Sequence, residues 1–383
     1  MTATDAAWTE RVAAATPAHR ERTVDALRAL AMGGVVVGHW LVTAVVVAPD
    51  GSLHQRSPLT SMPWLTPISW ALQTLGLFFF VSGYSAARGL ARWRAAGRST
   101  GSWLVVRAQR LLPPVTGLLG AWLLVRIALS AAGAEPWTGH TVDKLVLSPL
   151  WFLLVLFVLL PLTPAVVAVQ RRHGPWVAGV PLAAVALVDL ARYRLWPDVP
   201  DPLPYVNVLL AWLVPYTVGV CAARRRPGRR AGVALAGVGV VGAALLILGA
   251  HYPTALVGVP GQNRSNLDPP SLLAVMLALA QLGLALVWWQ RLTALMLRPV
   301  WWTTVVVLNL SAMTVFLWHQ SALLIVTFVG HLVLGDPTGL LGPPGDPSWI
   351  VHRLLWLPVF AAVLALLWLV AHRLERRGAG RHR

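Results

Sequence analysis

Apolar runs close to the length a helix needs to cross a ~30 Å hydrocarbon core, about 20 residues, recur along the whole chain and are separated by short polar clusters. Ten such runs fall at residues 26–48, 68–89, 111–130, 145–169, 176–191, 205–223, 231–250, 271–289, 301–329 and 351–371. The fold class this predicts is all-α, a polytopic membrane bundle of about ten transmembrane helices. The fifth run is short and holds Asp189 near its end, and the fourth carries Pro161 and Pro164, which predict a kink or an early end. The run at 111–130 begins at Pro113 and Pro114, where the helical ladder is expected to break.

Composition agrees with the pattern. Hydrophobic residues make up 57% and charged ones 12%, against roughly a quarter charged in an average soluble domain, and the mean hydropathy is +0.65. The single cysteine, Cys221, excludes an internal disulfide framework. A net charge of +17 would suggest nucleic acid as a partner in a soluble protein, but its placement here points to topology, and no nucleic-acid partner is expected. With the N-terminus in the cytoplasm, the inner segments hold 23 of the 31 basic residues and the outer segments only six, leaving Arg28 and Arg126 inside spans. Cytoplasmic segments carry such an excess of Lys and Arg, so both termini are expected inside a bacterial cell membrane. Residues 1–25 then form a basic cytoplasmic segment, 26–371 the transmembrane domain and 372–383 a basic cytoplasmic tail. The first run, with no apolar stretch or cleavage pattern ahead of it, reads as a retained anchor. The long outer segments are 49–67, 131–144, 192–204, 251–270 and 330–350. Membrane lipids are the one partner this pattern demands.

Several residues within the runs carry chemistry. Arg28 and His39 are eleven positions apart, which on a helix is ~16 Å of rise and about 20° from alignment, so they share a face. Asp25 precedes Arg28 by one turn and can pair with it, while Gly33, Gly34 and Gly38 admit close approach of a helix or a ligand. His39 reads either as a packing histidine or as a base, since neutral imidazole accepts protons near working pH. Arg107 and Arg110 lie one turn apart and can clamp phosphates or anchor in lipid headgroups. In FFFVSGYSAARG, Ser82, Gly83 and Tyr84 interrupt an aromatic run, with Tyr84 open to a belt reading. NLSAMTVFLWHQS holds Asn309, His319 and Gln320, and His319 is expected at the depth of His39, lining one cavity with it or gluing helices together. Trp151 stands at an outer interface. Asp189 and Arg126 can pair with each other or with loops, and Arg264, Ser265, Asn266 and Asp268 sit on an outer loop able to cover an acceptor site. The histidines have no metal-ligand spacing, and no phosphate-cradling glycine loop is present.

Taken in order, these residues resemble the membrane acyltransferase-3 family. Its first-helix arginine followed eleven positions later by histidine is matched by Arg28 and His39 in LRALAMGGVVVGH, with Asp25 in VDALR. FFFVSG matches its FFxxSG, RAQRLLP its R-x-x-R-x-x-P through Arg107, Arg110 and Pro113, and WFL at Trp151 and FLWH ending at His319 resemble two further motifs. The resemblance covers nearly the full length. It implies transfer of an acyl group, commonly acetyl, from acyl-CoA as co-substrate to a hydroxyl of an envelope glycan, polymer, lipid or small metabolite, without a metal. It also implies His39 as base or acyl carrier and coenzyme contacts from Arg107 and Arg110. Beside these, Arg28 is expected to join the coenzyme contacts, His319 to cooperate in catalysis, and Asp25, Ser82, Gly83, Tyr84, Trp151 and Asn309 to hold structural or substrate-positioning roles. Some relatives add an esterase-like domain outside the membrane, so a separate esterase-like partner and direct transfer by one protein both stay open. A sugar or lipid transporter is the alternative, separated by substrate flux without acyl-CoA consumption.

Overall fold

The computed structural model describes residues 3–17, 20–195, 202–258, 265–335 and 337–379. Fourteen helices organise it here: α1 (Ala3–Ala14), α2 (Arg22–Val42), α3 (Leu75–Ala95), α4 (Thr100–Ala131), α5 (Pro136–Leu147), α6 (Leu150–His173), α7 (Gly179–Leu190), α8 (Asn207–Arg224), α9 (Arg229–Leu248), α10 (Leu272–Val287), α11 (Trp289–Leu295), α12 (Pro299–Leu310), α13 (Ala312–Leu334) and α14 (Pro347–Ala379), with shorter helical turns between them. Among the described residues eight helical stretches are long and apolar enough to cross a membrane, or nine with the bent pair α10–α11. One stretch, Pro136–Tyr193, is 58 residues long. That is about 87 Å of helix, nearly three hydrocarbon thicknesses, and it must hold more than one crossing. It turns at Gly174, whose φ of 70° ends α6 before α7 begins. Each of the ten predicted runs therefore falls on helix, and the chain is an all-α polytopic membrane protein.

Helix boundaries depart from the apolar runs where local chemistry overrides hydropathy. The first run was expected to reach residue 48, but α2 stops at Val42 and Ala44–Val47 becomes strand β1, paired antiparallel with β2 (Leu53–Arg56) from Ala44↔Arg56 to Val47↔Leu53. Three consecutive valines favour a strand. The turn that follows is closed by Gly51 at φ 81° and by Asp50, which accepts from Ser52 N at 2.9 Å and Ser52 Oγ at 2.6 Å. Pro113 and Pro114 do not break the third span, since α4 runs 32 residues through both. Only 6% of its apolar window is buried, so a rim helix can bend there without disturbing neighbours. Nor do Pro161 and Pro164 end α6. Pro164 cannot donate to the Leu160 carbonyl, and the Thr163 hydroxyl donates to it instead at 2.6 Å. The ninth run is split at Ser311 into α12 and α13. The segment 131–144, expected as an outer loop, contains most of α5.

Central helices are α8, α13 and α2, with 67%, 61% and 56% of their windows buried, while α4, α9 and α14 show apolar side chains to the lipid. The segments expected on the outer side gather at one end. Leu53 N donates to Thr138 Oγ1 at 3.0 Å, Val45 bridges Leu341, Ser61 donates to the Pro344 carbonyl, and Trp70 donates to the Thr254 carbonyl at 3.0 Å. Asp189 lies at this end too, but it does not pair with Arg126. It is buried and accepts from Asn207, Tyr252 and Leu272 N, because a buried carboxylate needs several donors, while Arg126 pairs with Asp143 at 2.9 Å. Ser265, Asn266 and Asp268 belong to this hairpin end, and Arg264 lies outside the described residues. At the other end α1 packs on α12, where Trp302 donates to Thr16 Oγ1 at 2.7 Å.

Candidate active site

The basic end of the bundle opens into a cavity of about 690 Å³. Arg20, Arg28, Arg88, Arg92, Arg107 and Arg110 line it, with Glu21 and Asp25 as its carboxylates. Asp25 is already engaged by Arg20 at 2.6 Å and by Arg28 at 2.9 Å. Arg28 also donates to Asn309 Oδ1 at 3.2 Å and Ser85 Oγ at 2.7 Å, and Asn309 Nδ2 donates to the Asp25 carbonyl at 2.9 Å. The expected pair of Asp25 and Arg28 is thus joined by Ser85 and Asn309 in one network across α2, α3 and α12. Arg107 lies 5.1 Å over the Trp103 ring, and a Cβ at Gly89 would come within 2.8 Å of Arg107 Nη2. Arg110 is exposed and lines the same cavity. Six guanidinium groups around two carboxylates leave a positive field suited to a phosphorylated anion.

His39 faces a different cavity of about 500 Å³, lined by Gly38, Gln73, Ser148, Trp151 and Phe152 among mostly apolar neighbours. Trp151 is half-buried and forms part of this cavity's wall. His319 does not line this cavity as expected. It is fully buried behind His39, the ring centroids 5.1 Å apart, because Nδ1–H donates backwards to the Phe316 carbonyl at 2.6 Å. That bond fixes its tautomer, since a carbonyl only accepts, and Nε2 is left as the lone-pair nitrogen with no hydrogen-bond partner among the described residues. The Gln320 amide reaches Nδ1 of His39 at 3.1 Å. Trp40 ties α2 to α13 through the His319 carbonyl at 2.9 Å.

The remaining expected residues divide in two. Ser82 and Tyr84 line the basic cavity. Gly83 serves packing, because a Cβ there would meet the Tyr216 carbonyl oxygen at 2.0 Å. Sequence reasoning missed Ser85, Arg88 and Arg92 as cavity residues, although the spacing of Tyr84, Arg88 and Arg92 along one helix was a usable signal. It also counted Arg353 among the six basic residues of the outer segments. Arg353 is fully buried and donates to the carbonyls of Trp40 at 2.7 Å, Gly339 at 2.7 Å and Thr43, closing the last turn of the His39 helix. Nothing in a lone arginine beside an apolar run announces that role. Among the described residues no three His, Cys, Asp or Glu side chains gather as a metal site.

The described residues form a polytopic helical membrane protein with an arginine-lined cavity at one end and a histidine-lined cavity beside it. The family is shown directly: the acyltransferase-3 model, described as an acyltransferase domain, matches residues 21–374, and the chain belongs to that family. No curated protein and no solved structure matches it.

Proposed function

We propose that this protein transfers an acyl group, acetyl in the simplest case, from acyl-CoA bound in the arginine cavity to a hydroxyl presented in the His39 cavity. The acceptor is an envelope glycan, a lipid or a small metabolite. The observation that carries the reading is that Phe152 and Phe316 line both cavities, so a phosphate-binding mouth and a proton-accepting ring meet at one wall. Arg107, Arg110 and Arg28 hold the coenzyme phosphates, and its thioester is directed along the α2 face toward His39. The basic ring nitrogen of His39 takes the proton of the acceptor hydroxyl as the oxygen attacks the thioester carbonyl. A tetrahedral intermediate forms, its C–S bond breaks, and the coenzyme thiolate leaves and is protonated by the imidazolium, which regenerates the base. His319, packed against His39, supports that ring from behind. The basic end faces the cytoplasm of a bacterial cell, where acyl-CoA is made.

The test is acyl transfer in membranes of expressing cells. His39→Ala is expected to lower turnover by at least about 100-fold, the low end of what a positioned base contributes. Near wild-type turnover refutes the base. Arg107→Ala and Arg110→Ala are expected to raise the KM for acyl-CoA with kcat little changed, and an unmoved KM leaves these two as lipid anchors. Substrate flux without release of coenzyme thiol favours a transporter.

A further inference from the structure

The two cavities touch without merging. Phe152 and Phe316 line both, and Phe78 lines the basic one. These three rings come from α6, α13 and α3 and close on one another, with centroids 4.7 Å apart for Phe78–Phe152, 5.3 Å for Phe152–Phe316 and 6.0 Å for Phe78–Phe316. Although they face open space on two sides, Phe152 and Phe316 are only 2% and 3% exposed. We infer that Phe78, Phe152 and Phe316 form a constriction between the arginine cavity and the His39 cavity that selects acyl groups by length. The inference rests on the acyl-CoA route proposed above and names the residues that set its donor specificity.

The three rings are not equally free to move. Phe152 is backed by Phe79 at 4.8 Å, Phe79 stacks on Trp212 at 5.1 Å and 17°, and Trp212 meets Trp151 at 6.1 Å. That aromatic array fixes one side of the constriction, because a packed ring turns only if its neighbours give way. Phe78 is half-buried and has more room. Phe316 lies one turn before His319 and its carbonyl takes the His319 Nδ1–H, so any shift of the Phe316 backbone is felt by the histidine pair. A thioester held by its phosphates has to bring its carbonyl carbon past these rings. An acetyl group asks for the room of one methyl, while each added methylene must displace aromatic carbon or find a gap. The chamber beyond is mostly apolar and spacious, so the limit on length falls at the rings.

Two experiments test this with different dependences. In the first, release of coenzyme thiol is measured for acetyl-, butanoyl-, hexanoyl- and octanoyl-CoA in membranes carrying the parent chain, Phe316→Leu or Phe316→Ala. The hexanoyl-to-acetyl ratio of kcat/KM is expected to rise at least about tenfold in Phe316→Ala, the lower range of discrimination for hydrophobic contacts of this size, and by less in Phe316→Leu. A flat ratio with acetyl transfer retained overturns the constriction and leaves the acyl-transfer reading standing. The second experiment needs no turnover. Cys221, the single cysteine, is replaced by alanine, and Ser148→Cys places a thiol on the His39 cavity. A charged methanethiosulfonate added from the basic side of sealed vesicles is expected to leave that thiol unlabelled behind the closed rings and to label it once Phe78→Ala and Phe316→Ala are added. Equal labelling with and without the ring substitutions overturns the proposal. Failure of the acyl-transfer reading itself looks different, with no thiol released from any donor while the labelling still reports whether the rings close the passage.

Discussion

At His39 the decisive neighbour is Gln320, whose amide lies 3.1 Å from Nδ1. The contact is made through the amide nitrogen, which only donates, so Nδ1 is the acceptor and His39 carries its proton on Nε2; Gln320 thereby sets the tautomer of the ring. His319 is locked in the complementary way by the Phe316 carbonyl, so its ring cannot reorient to take over. Gln320→Ala is expected to slow acyl transfer by about tenfold, the worth of one well-made hydrogen bond in a buried site, without changing the KM for acyl-CoA. Gln320→Glu, which replaces that donor with an acceptor and so favours the other tautomer, is expected to lose more activity than alanine. A steady-state comparison of the two decides it, and equal loss in both assigns Gln320 to packing alone. The sequence pointed to His39 through its spacing from Arg28, because both residues lie on one helix where spacing fixes geometry. It could not reveal the Gln320 contact, which joins residues 281 positions apart.

The same limit governs the helices. Apolar length located every span, since the bilayer imposes it. What hydropathy missed were the places where side chains satisfy backbone groups that regular helix would have used. Between the short helix Thr66–Leu72 and α3 the chain breaks at Gln73 and Thr74, and Gln281 Nε2 donates at 3.0 Å to the carbonyls of both Trp70 and Gln73. Thr74 donates to the Ala31 carbonyl at 2.7 Å, in space that exists because a Cβ at Gly34 would lie 2.5 Å from its hydroxyl oxygen. Such breaks are tolerated in a membrane only when neighbours supply the missing partners. Helices α3 and α8 approach closely, since a Cβ at Gly83 would meet the Tyr216 carbonyl oxygen at 2.0 Å and one at Gly219 the Phe80 carbonyl oxygen at 2.0 Å. Both faults lie against backbone, which cannot swing aside. Gly83→Ala and Gly219→Ala are each expected to cost about 1–3 kcal/mol, as overpacking of a tight interface does, and to lower thermal stability in detergent. A Gly33→Ala control, where a Cβ would meet nothing within 4 Å, is expected to leave stability unchanged.

Across the bundle, one end gathers the arginine cavity and the other the hairpin, Arg353 and the loops that meet it. This arrangement gives the charge asymmetry of the sequence a physical consequence. Arginines in short segments resist translocation, and here those segments carry the walls of the cavity proposed to hold a coenzyme found inside the cell. Orientation and donor access are thus one question. A fluorescent protein fused after residue 383 is expected to fold and fluoresce, as it does in the cytoplasm. Alkaline phosphatase inserted in the turn between β1 and β2, near Gly51, is expected to be active only outside. The opposite pattern in both fusions would turn the six cavity arginines away from the acyl-CoA pool and end the donor assignment, while leaving the helical fold untouched. Activity of one reporter without the other would show that the alternation fails within the chain. The stretch to examine is then Pro136–Tyr193, because its division at Gly174 decides whether the bundle crosses the membrane an even number of times.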